Sequence, residues 1–293
     1  MNNLHRQMKN YLNMRKFEKM KKTNVCYEQF NDLLGLAIDM EFEFKELEKA
    51  GHTHFMKTEI ENKMLELIER DESIILIPGF CDKNIVIQAA QLGFSKVAFR
   101  ALDNHEASIQ QDIYGNNLGM ICASHGLEDC VLKALDNPIA SIQQNQMREN
   151  IGMIAASRYM NKAVLKALDN HEASIQTDSF FDNIGMLAAF HGLEDCVLKS
   201  LQNPDSVKEQ NQDGKNIAML ASESKMKTAV LECLKNPWLL ESKDKDGESL
   251  LDYIKVYFSD DALFLQKVDN QLFQSETNIV NDNINKDTDN IME

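Results

Sequence analysis

The sequence predicts an all-α repeat solenoid, built from stacked helix-turn-helix units with helical caps. The main observation is a step of 33 residues: the segment Ala-Leu-Asp-Asn begins at residues 101, 134 and 167, and weaker copies begin at 200 and 233. A second marker keeps the same step, at Asn84, Asn117, Asn150, Asn183 and Asn216, then Ser249. Apolar residues also recur within each step at helical spacing. A fixed step of this length is the signature of a repeat architecture.

The first helix of each unit is predicted to start at the asparagine marker. After Asn117 the apolar residues Leu118, Ile121 and Cys122 stand at i, i+3 and i+4. An asparagine at the N-cap accepts a hydrogen bond from a backbone N–H that has no partner within the helix, and Ser249 offers an oxygen for the same purpose. We therefore predict a structural capping role for the column Asn84, Asn117, Asn150, Asn183 and Asn216.

The second helix follows a break at His125-Gly126. Its apolar positions fall on one face of a 3.6-residue period, namely Leu127, Cys130, Val131, Ala134 and Leu135. Proline lacks the N–H and the space to continue a helix, so the prolines that follow are predicted to end it: Pro138, Pro204 and Pro237. One helix pair cannot cover its own apolar face, and stacked copies are therefore expected to form a quasi-one-dimensional array.

These units resemble the ankyrin repeat. The family's Thr-Pro-Leu-His-x-Ala-Ala segment corresponds to Asn-Ile-Gly-Met-Ile-Ala-Ala at 150–156 and to Asn-Ile-Gly-Met-Leu-Ala-Ala at 183–189. The family's Asp-x-x-Gly turn is present from Asp112 to Gly115, and 249–253 looks like a closing repeat. The resemblance covers roughly residues 71–258. The family's threonine and histidine are replaced by asparagine and methionine, so hydrogen bonding along the array is expected to differ.

The domain organisation follows from the limits of the repeat. Residues 1–22 carry seven lysines and arginines against one glutamate, and form a basic extension that is either a frayed soluble segment or a membrane-surface or targeting helix. The remaining segments are expected to be an N-terminal cap or degenerate repeats at 23–70, ankyrin repeats at 71–258, a capping helix at 259–273 and a disordered tail at 274–293.

Charge and cysteine content exclude several classes of partner. The chain has 293 residues and a net charge of −15, whereas a reader of duplex nucleic acid needs a basic surface, so no nucleic-acid partner is expected. Six cysteines in a chain of this length do not make a disulfide scaffold, which indicates reduced thiols and a cytoplasmic protein. No apolar run is long enough to span a bilayer, and we expect no stable membrane insertion. We expect a monomer.

The sequence predicts no cofactor, no metal site and no catalytic residue. The tightest grouping of ligand-type residues is Cys122, His125 and Cys130, but both cysteines fall on the apolar faces of their helices. The row Met120, Met153, Met186 and Met219 is interpreted as a structural column. No phosphate loop, nucleophile elbow or zinc-protease motif is present. The chain is therefore predicted not to be an enzyme, the alternative being a small enzymatic or targeting module in residues 1–70 positioned by the array.

The partner-binding surface is predicted from an internal comparison. Residues 101–133 and 167–199 match at 24 of 33 positions, and six of the nine differences fall in the turn or at the solvent end of the first helix. In ankyrin arrays this turn projects as a finger, and the fingers and first helices line the concave binding face. Two adjacent phenylalanines in a polar turn favour an interface over drift. The predicted site residues are Tyr114, Met147, Arg148, Arg158, Phe180, Phe181 and Phe190.

The ankyrin resemblance implies a protein–protein interaction scaffold whose concave face binds a partner protein. Ankyrin arrays bind very different partners, so the resemblance does not identify this one. A bacterial effector delivered into a host-cell cytoplasm is one hypothesis, because divergent ankyrin proteins of bacteria that live with host cells often look like this. Two rival hypotheses stay open at this point, the enzymatic or targeting module in residues 1–70 and a self-association role through the terminal caps.

Overall fold

The computed structural model describes residues 29–35, 53–76 and 85–273, and every regular element in these ranges is a helix. Two isolated antiparallel bridges, Gln111 with Asn117 and Lys243 with Ser249, close two of the turns. The chain divides into two compact units, 1–130 and 131–293, and the division falls inside one short helix. Predictions for residues 1–28, 36–52, 77–84 and 274–293, including the cap at Asn84, lie outside the described residues.

The first unit is built on a long helix followed by short ones. A 3-10 turn, Glu72–Leu76, follows the long helix and packs against both it and the next helix. The buried faces carry aliphatic residues such as Ile68 and Ile85. The helices are α1 (29–35), α2 (Thr53–Arg70), α3 (Ile85–Gln91), α4 (Ser95–Ala101), α5 (His105–Ile109), α6 (Leu118–Ser124) and the start of α7 (Glu128–Ala134).

The second unit repeats a set of three helices and closes with two further helices. Its elements after α7 are α8 (Pro138–Ile142), α9 (Ile151–Ser157), α10 (Asn161–Ala167), α11 (His171–Ile175), α12 (Ile184–Phe190), α13 (Glu194–Ser200), α14 (Pro204–Val207), α15 (Ile217–Glu223), α16 (Lys227–Cys233), α17 (Pro237–Glu241), α18 (Leu250–Tyr257) and α19 (262–273). First helices α9, α12, α15 and α18 pack in succession, and so do second helices α10, α13 and α16.

Each of these 33-residue repeats contains a third, short helix that was not predicted from the sequence. Pro138, Pro204 and Pro237 do not merely end the second helix, because each occupies the first turn of α8, α14 or α17. Proline suits that position, where its missing N–H has no partner to lose. The asparagine before each proline is the N-cap, and its side chain accepts backbone N–H groups of the new helix. The Ala-Leu-Asp-Asn marker therefore ends in a helix cap.

The first helices begin at buried asparagines. Asn150 and Asn183 are fully buried, and each side-chain oxygen accepts the backbone N–H three residues later at 2.9–3.0 Å. Their amide Nδ2 groups donate to the third helix, from Asn150 to the Ala173 carbonyl at 2.9 Å and from Asn183 to the Ser206 carbonyl at 2.8 Å. One side chain thus caps one helix and holds another.

Close packing between first helices depends on a small residue near their start. A Cβ atom built on Gly152 would lie 2.5 Å from Ile184 Cδ1 and 2.7 Å from Ala167 Cβ. Both distances are below van der Waals contact, so any side chain here would push α9 away from α10 and α12. In the Asn-Ile-Gly-Met segment, the asparagine caps the helix, the isoleucine and methionine lie in the core, and the glycine lets the neighbouring helices approach closely.

Second helices are tied by a repeated lysine contact. Lys166 Nζ donates to the Leu132 carbonyl at 2.7 Å and to Asp136 at 2.5 Å. Lys199 makes the equivalent bonds one repeat later, to the Leu165 carbonyl and the Asp169 carboxylate. The carbonyls belong to C-terminal turns of the preceding second helix, where a cation is favourable. The aspartates are exposed, so each ion pair adds little to stability. The hydrogen bond from the lysine to the carbonyl is the contact that aligns successive second helices.

The last helix packs by two of the four apolar residues that the sequence analysis placed on it. Phe264 and Val268 are buried, and the Phe264 ring lies 4.3 Å from the Phe258 ring, centroid to centroid. Leu263 is exposed and Leu272 is half-buried. The helix starts at 262 rather than 259, because Asp261 caps it by accepting the Phe264 N–H.

We expect Asn150→Ala to destabilise the array strongly. The substitution removes a cap, which costs about 0.5–2 kcal/mol. It also leaves the buried Ala173 carbonyl without the Nδ2 donor, which adds about 1–3 kcal/mol. Urea unfolding followed by circular dichroism measures the change. Asn150→Ser keeps an acceptor but loses the donor, and should fall between wild type and Asn150→Ala. Equal stability of all three chains would contradict a structural role for the column.

Candidate functional site

The fingers of the second unit are tight turns held from inside. In the finger 178–182, the Asp178 carboxylate accepts the backbone N–H groups of Phe180 at 2.8 Å and Asp182 at 2.9 Å. In the preceding finger Asn145 has the equivalent role, accepting from Met147 and Glu149. Asp178 is buried, so the turn is fixed by its own first residue. The tip side chains are not involved in these bonds.

Adjacent fingers are joined through their backbones. Ser179 N donates to the Met147 carbonyl at 2.9 Å, and Gln212 N donates to the Phe180 carbonyl at 2.9 Å. Lys245 N continues the series by donating to the Asp213 carbonyl at 3.0 Å. The contacts recur at the repeat step, and they hold successive finger tips side by side. A continuous row of tips results from Met147 onward.

Four predicted site residues meet on two neighbouring fingers. Met147, Phe180 and Phe181 are about half exposed, at 51%, 54% and 47%. The guanidinium carbon of Arg148 lies 5.9 Å from the centre of the Phe181 ring, within the range of a cation–π contact. We call these four residues, Met147, Arg148, Phe180 and Phe181, the finger ridge.

The finger ridge carries backbone strain. Phe181 has φ of 65° and Arg148 has φ of 62°, where a side chain is unfavourable. The same finger position holds glycine at 115, 214 and 247, each also at positive φ. The ridge therefore has large side chains at a position where other repeats have glycine. Strain of this kind persists where something else requires the side chain.

A second exposed aromatic cluster lies where first helices end. The His191 ring contacts Tyr159 at 5.2 Å and Phe190 at 5.1 Å between centroids, both edge to face. Tyr159 and Phe190 are 66% and 65% exposed. Tyr159 has φ of 59° at a position where Gly126 and Gly192 stand in other units. Partial burial lowers the pKa of His191, which favours its neutral form. We call Tyr159, Phe190 and His191 the helix-end cluster.

Six of the seven site residues predicted from the sequence divide into two groups, the four of the finger ridge and two, Arg158 and Phe190, at the ends of first helices. Phe190 closes a seven-residue helix whose start follows the finger, which separates it from the ridge by about 10 Å at 1.5 Å per residue. Arg158 is exposed and follows the end of α9, on the same side of the helix layer as Phe190. Tyr114 is 54% exposed on a finger of the first unit.

Tyr159 and His191 are not among the site residues predicted from the sequence. Comparing position 159 with 126 and 192, one repeat step away on either side, would have shown a tyrosine in a glycine position. His191 is identical to His125 at the equivalent position of the duplicated segment, so the differences between the two segments do not mark it. A tyrosine at a position that neighbouring repeats give to glycine is the signal that finds Tyr159 from the sequence.

Asp182 has an unusual environment beside the ridge. Burial raises its pKa to about 6, the hydrogen bond from Asn211 Nδ2 at 3.0 Å opposes that rise, and the charges of Asp178 and Asp213 add to it. The carboxylates of two adjacent fingers therefore share one negative region. It borders the exposed phenylalanines.

The described cysteines are structural thiols. Cys122, Cys130, Cys196 and Cys233 are free and buried. Burial raises the pKa of Cys196 to about 11 and that of Cys233 further, so both stay protonated at neutral pH. The pKa of Cys122 is raised by its hydrogen bond with Cys130 and by burial. Over the described ranges, no three ligand-type residues converge as a metal site would require.

The fold matches a known structure. The crystal structure of the ankyrin repeat protein EF0377 superposes with a TM-score of 0.52 at 18% identity, covering 64% of this chain and 96% of that chain. At this identity the likeness shows the fold, which confirms the predicted ankyrin-type repeat solenoid. No family model and no curated protein matches the sequence. Within the described residues, no helix is long and apolar enough to cross a bilayer.

We expect Phe181→Gly to be at least as stable as wild type. Glycine removes the cost of positive φ in the folded state, which is about 1–2 kcal/mol. Its greater freedom in the unfolded chain lowers stability by about 0.4–1 kcal/mol. Phe181→Ala keeps the strained backbone and loses the ring, so it should unfold at lower urea concentration than Phe181→Gly. Lys225→Gly, also at a positive-φ position, is the control outside the ridge. If alanine and glycine variants were equally stable, residue 181 would not hold this conformation in solution.

We expect Asp182→Asn to stabilise the protein at neutral pH. Because the folded-state pKa is raised to about 6 from 3.8, the folded protein binds the proton more tightly than the unfolded chain. Wild-type stability therefore falls as pH rises from about 4 through 6. Asparagine has no charge to bury and still accepts from Asn211. Thermal melts should show the gain at about pH 7.5 and its disappearance near pH 4. A gain that did not shrink at low pH would contradict the raised pKa.

Proposed function

We propose that this protein is a scaffold that binds a partner protein through the finger ridge, with no catalytic role of its own. The carrying observation is the pair of exposed phenylalanines, 180 and 181, at the tip of a finger whose backbone is held by other residues. An ankyrin-repeat fold supports binding rather than catalysis, and it presents its finger tips as a row. The protein's role is then defined by what this row contacts.

The energetics favour an interface at this place. Aromatic residues and arginine are the types that most often carry binding energy, at about 2 kcal/mol or more for a hot-spot side chain. Exposed apolar clusters invite association, so an exposed phenylalanine pair is unfavourable unless a partner covers it. Positive φ at Arg148 and Phe181 adds a second cost that glycine would avoid. Both costs are explained together if the two side chains bind a partner.

The helix-end cluster supports a wider contact area on the same array. Its two exposed rings and the ridge lie at opposite ends of the first helices, so a partner that spans the length of one short helix contacts both. Phe190 and Arg158 contribute to binding under this proposal, as secondary contacts. Tyr114 is a further exposed aromatic finger residue and a candidate contact of the first unit.

The experiment is comparative affinity capture with mass spectrometry. The full chain and Phe180→Ser/Phe181→Ser serve as bait in a lysate of the producing organism and in a eukaryotic cell lysate, which also tests the proposal of a host-directed effector. Leu263→Ser is the matched control, because it removes an apolar side chain that is 75% exposed elsewhere in the second unit. Proteins retained by wild type and the control, and lost from the double variant, are ridge partners.

The double variant should retain nearly the wild-type melting temperature, because the tip side chains lie outside the core. A much lower melting temperature would show that the phenylalanines support the fold. An unchanged set of captured proteins would place the interface elsewhere and reject the ridge. A partner gained only from the eukaryotic lysate favours the effector hypothesis, and one gained only from the producing organism counts against it.

A further inference from the structure

The finger ridge is apolar at its centre and acidic on one side. Phe180 and Phe181 are followed directly by Asp182, and Asp213 stands on the next finger. Asn211 Nδ2 donates to the Asp182 carboxylate at 3.0 Å, which joins the second of these fingers to the first. The charges of Asp178 and Asp213 lie close enough to the Asp182 carboxylate to add to the rise in its pKa that burial causes. A negative potential therefore borders the two exposed rings.

The ridge already shows which chemistry its rings accept. Arg148 extends from the preceding finger and places its guanidinium over the Phe181 ring. Over the ranges that the structure describes, no cation lies over the ring of Phe180, although this residue is 54% exposed. The two phenylalanines are therefore unequal. Phe181 has the protein's own cation over its ring, whereas Phe180, two residues before Asp182 on the same finger, has no such cation among the described residues.

We propose that the partner of the finger ridge is a basic, partly apolar polypeptide segment that places an arginine or lysine over Phe180. Its charged end would face Asp182 and Asp213, while its aliphatic stem and a neighbouring apolar residue cover the rings. This inference rests on the proposed function and specifies the partner's chemistry. Stacking on an aromatic face and pairing with a carboxylate are both properties of the guanidinium group.

Long-range charge favours the same partner. The chain has a net charge of −15, so a basic segment is attracted before contact and an acidic one is repelled. The rival occupant is an acidic segment that pairs with Arg148. That pairing would remove the cation from Phe181 and bring a carboxylate against Asp182 and Asp213, where burial and the charges of Asp178 and Asp213 already disfavour the ionised form of Asp182.

The test uses the full chain and three labelled synthetic peptides of equal length. The first alternates arginine with leucine, the second alternates glutamate with leucine, and the third alternates arginine with glycine. Fluorescence anisotropy at physiological ionic strength measures their affinities. We expect the arginine–leucine peptide to bind, the glutamate–leucine peptide not to bind, and the arginine–glycine peptide to bind at least about tenfold more weakly, because it lacks apolar cover for the rings.

Two sets of variants separate ridge binding from general attraction to an acidic protein. Phe180→Ser/Phe181→Ser keeps the net charge and should weaken the arginine–leucine peptide at least about tenfold. Asp182→Asn/Asp213→Asn should also weaken it, while Asp195→Asn/Asp260→Asn removes equal charge at exposed positions elsewhere and should change the affinity little. Added salt should weaken the wild-type complex more than that of the Asp182→Asn/Asp213→Asn variant.

Three outcomes would overturn the inference. These are preferred binding of the acidic peptide, equal binding of the arginine–leucine peptide to wild type and the phenylalanine double variant, and no binding of any peptide. None of them rejects the proposed function if capture from lysates still depends on Phe180 and Phe181. Conversely, capture that ignores the ridge rejects the proposed function, whatever the peptides do.

Discussion

The second unit depends on the burial of one asparagine at the start of each of the first helices α9, α12 and α15. Asn150 and Asn183 are fully buried, a position that costs stability unless every polar atom is bonded. The oxygen caps its own helix and the amide Nδ2 holds the third helix, so both ends of the side chain are used. Among the residues that the structure describes, no buried side-chain nitrogen or oxygen lacks a partner. The direction of each first helix, and with it the position of each finger, follows from this contact.

Much of the fold could be predicted because the repeat is local and periodic. The 33-residue step indicated the stacking, and the residue types at the marker indicated the caps at Asn117, Asn150, Asn183 and Asn216. The third helix was missed because proline was interpreted as a stop. Asparagine followed by proline, as at 137–138, is equally the start of a helix. Five residues are too few to show a hydrophobic period, so only the capping chemistry could have revealed it.

The candidate site was harder to predict than the fold. Substitutions between duplicated units identified exposed positions, and Phe180, Phe181 and Phe190 are indeed exposed. The pattern did not show that a whole helix lies between Phe181 and Phe190, because a repeat step aligns equivalent positions and does not measure distance within a unit. Backbone conformation was also invisible. The positive φ of Tyr159 is seen only in the structure, although the glycines at 126 and 192 mark its position in the sequence.

The geometry of the fingers explains how a binding surface can change without damage to the array. Each finger is closed by its first residue and by backbone hydrogen bonds to its neighbours, as at Asp178, Ser179 and Gln212. These bonds involve no tip side chain, so the tip residues can vary while the hydrogen bonds between adjacent fingers stay intact. In a quasi-one-dimensional protein each unit contacts only its neighbours, and the effect of a change stays local. Under the proposed function, binding energy at positions 180 and 181 is therefore separable from most of the folding energy, and the strain at residue 181 is the point where the two compete.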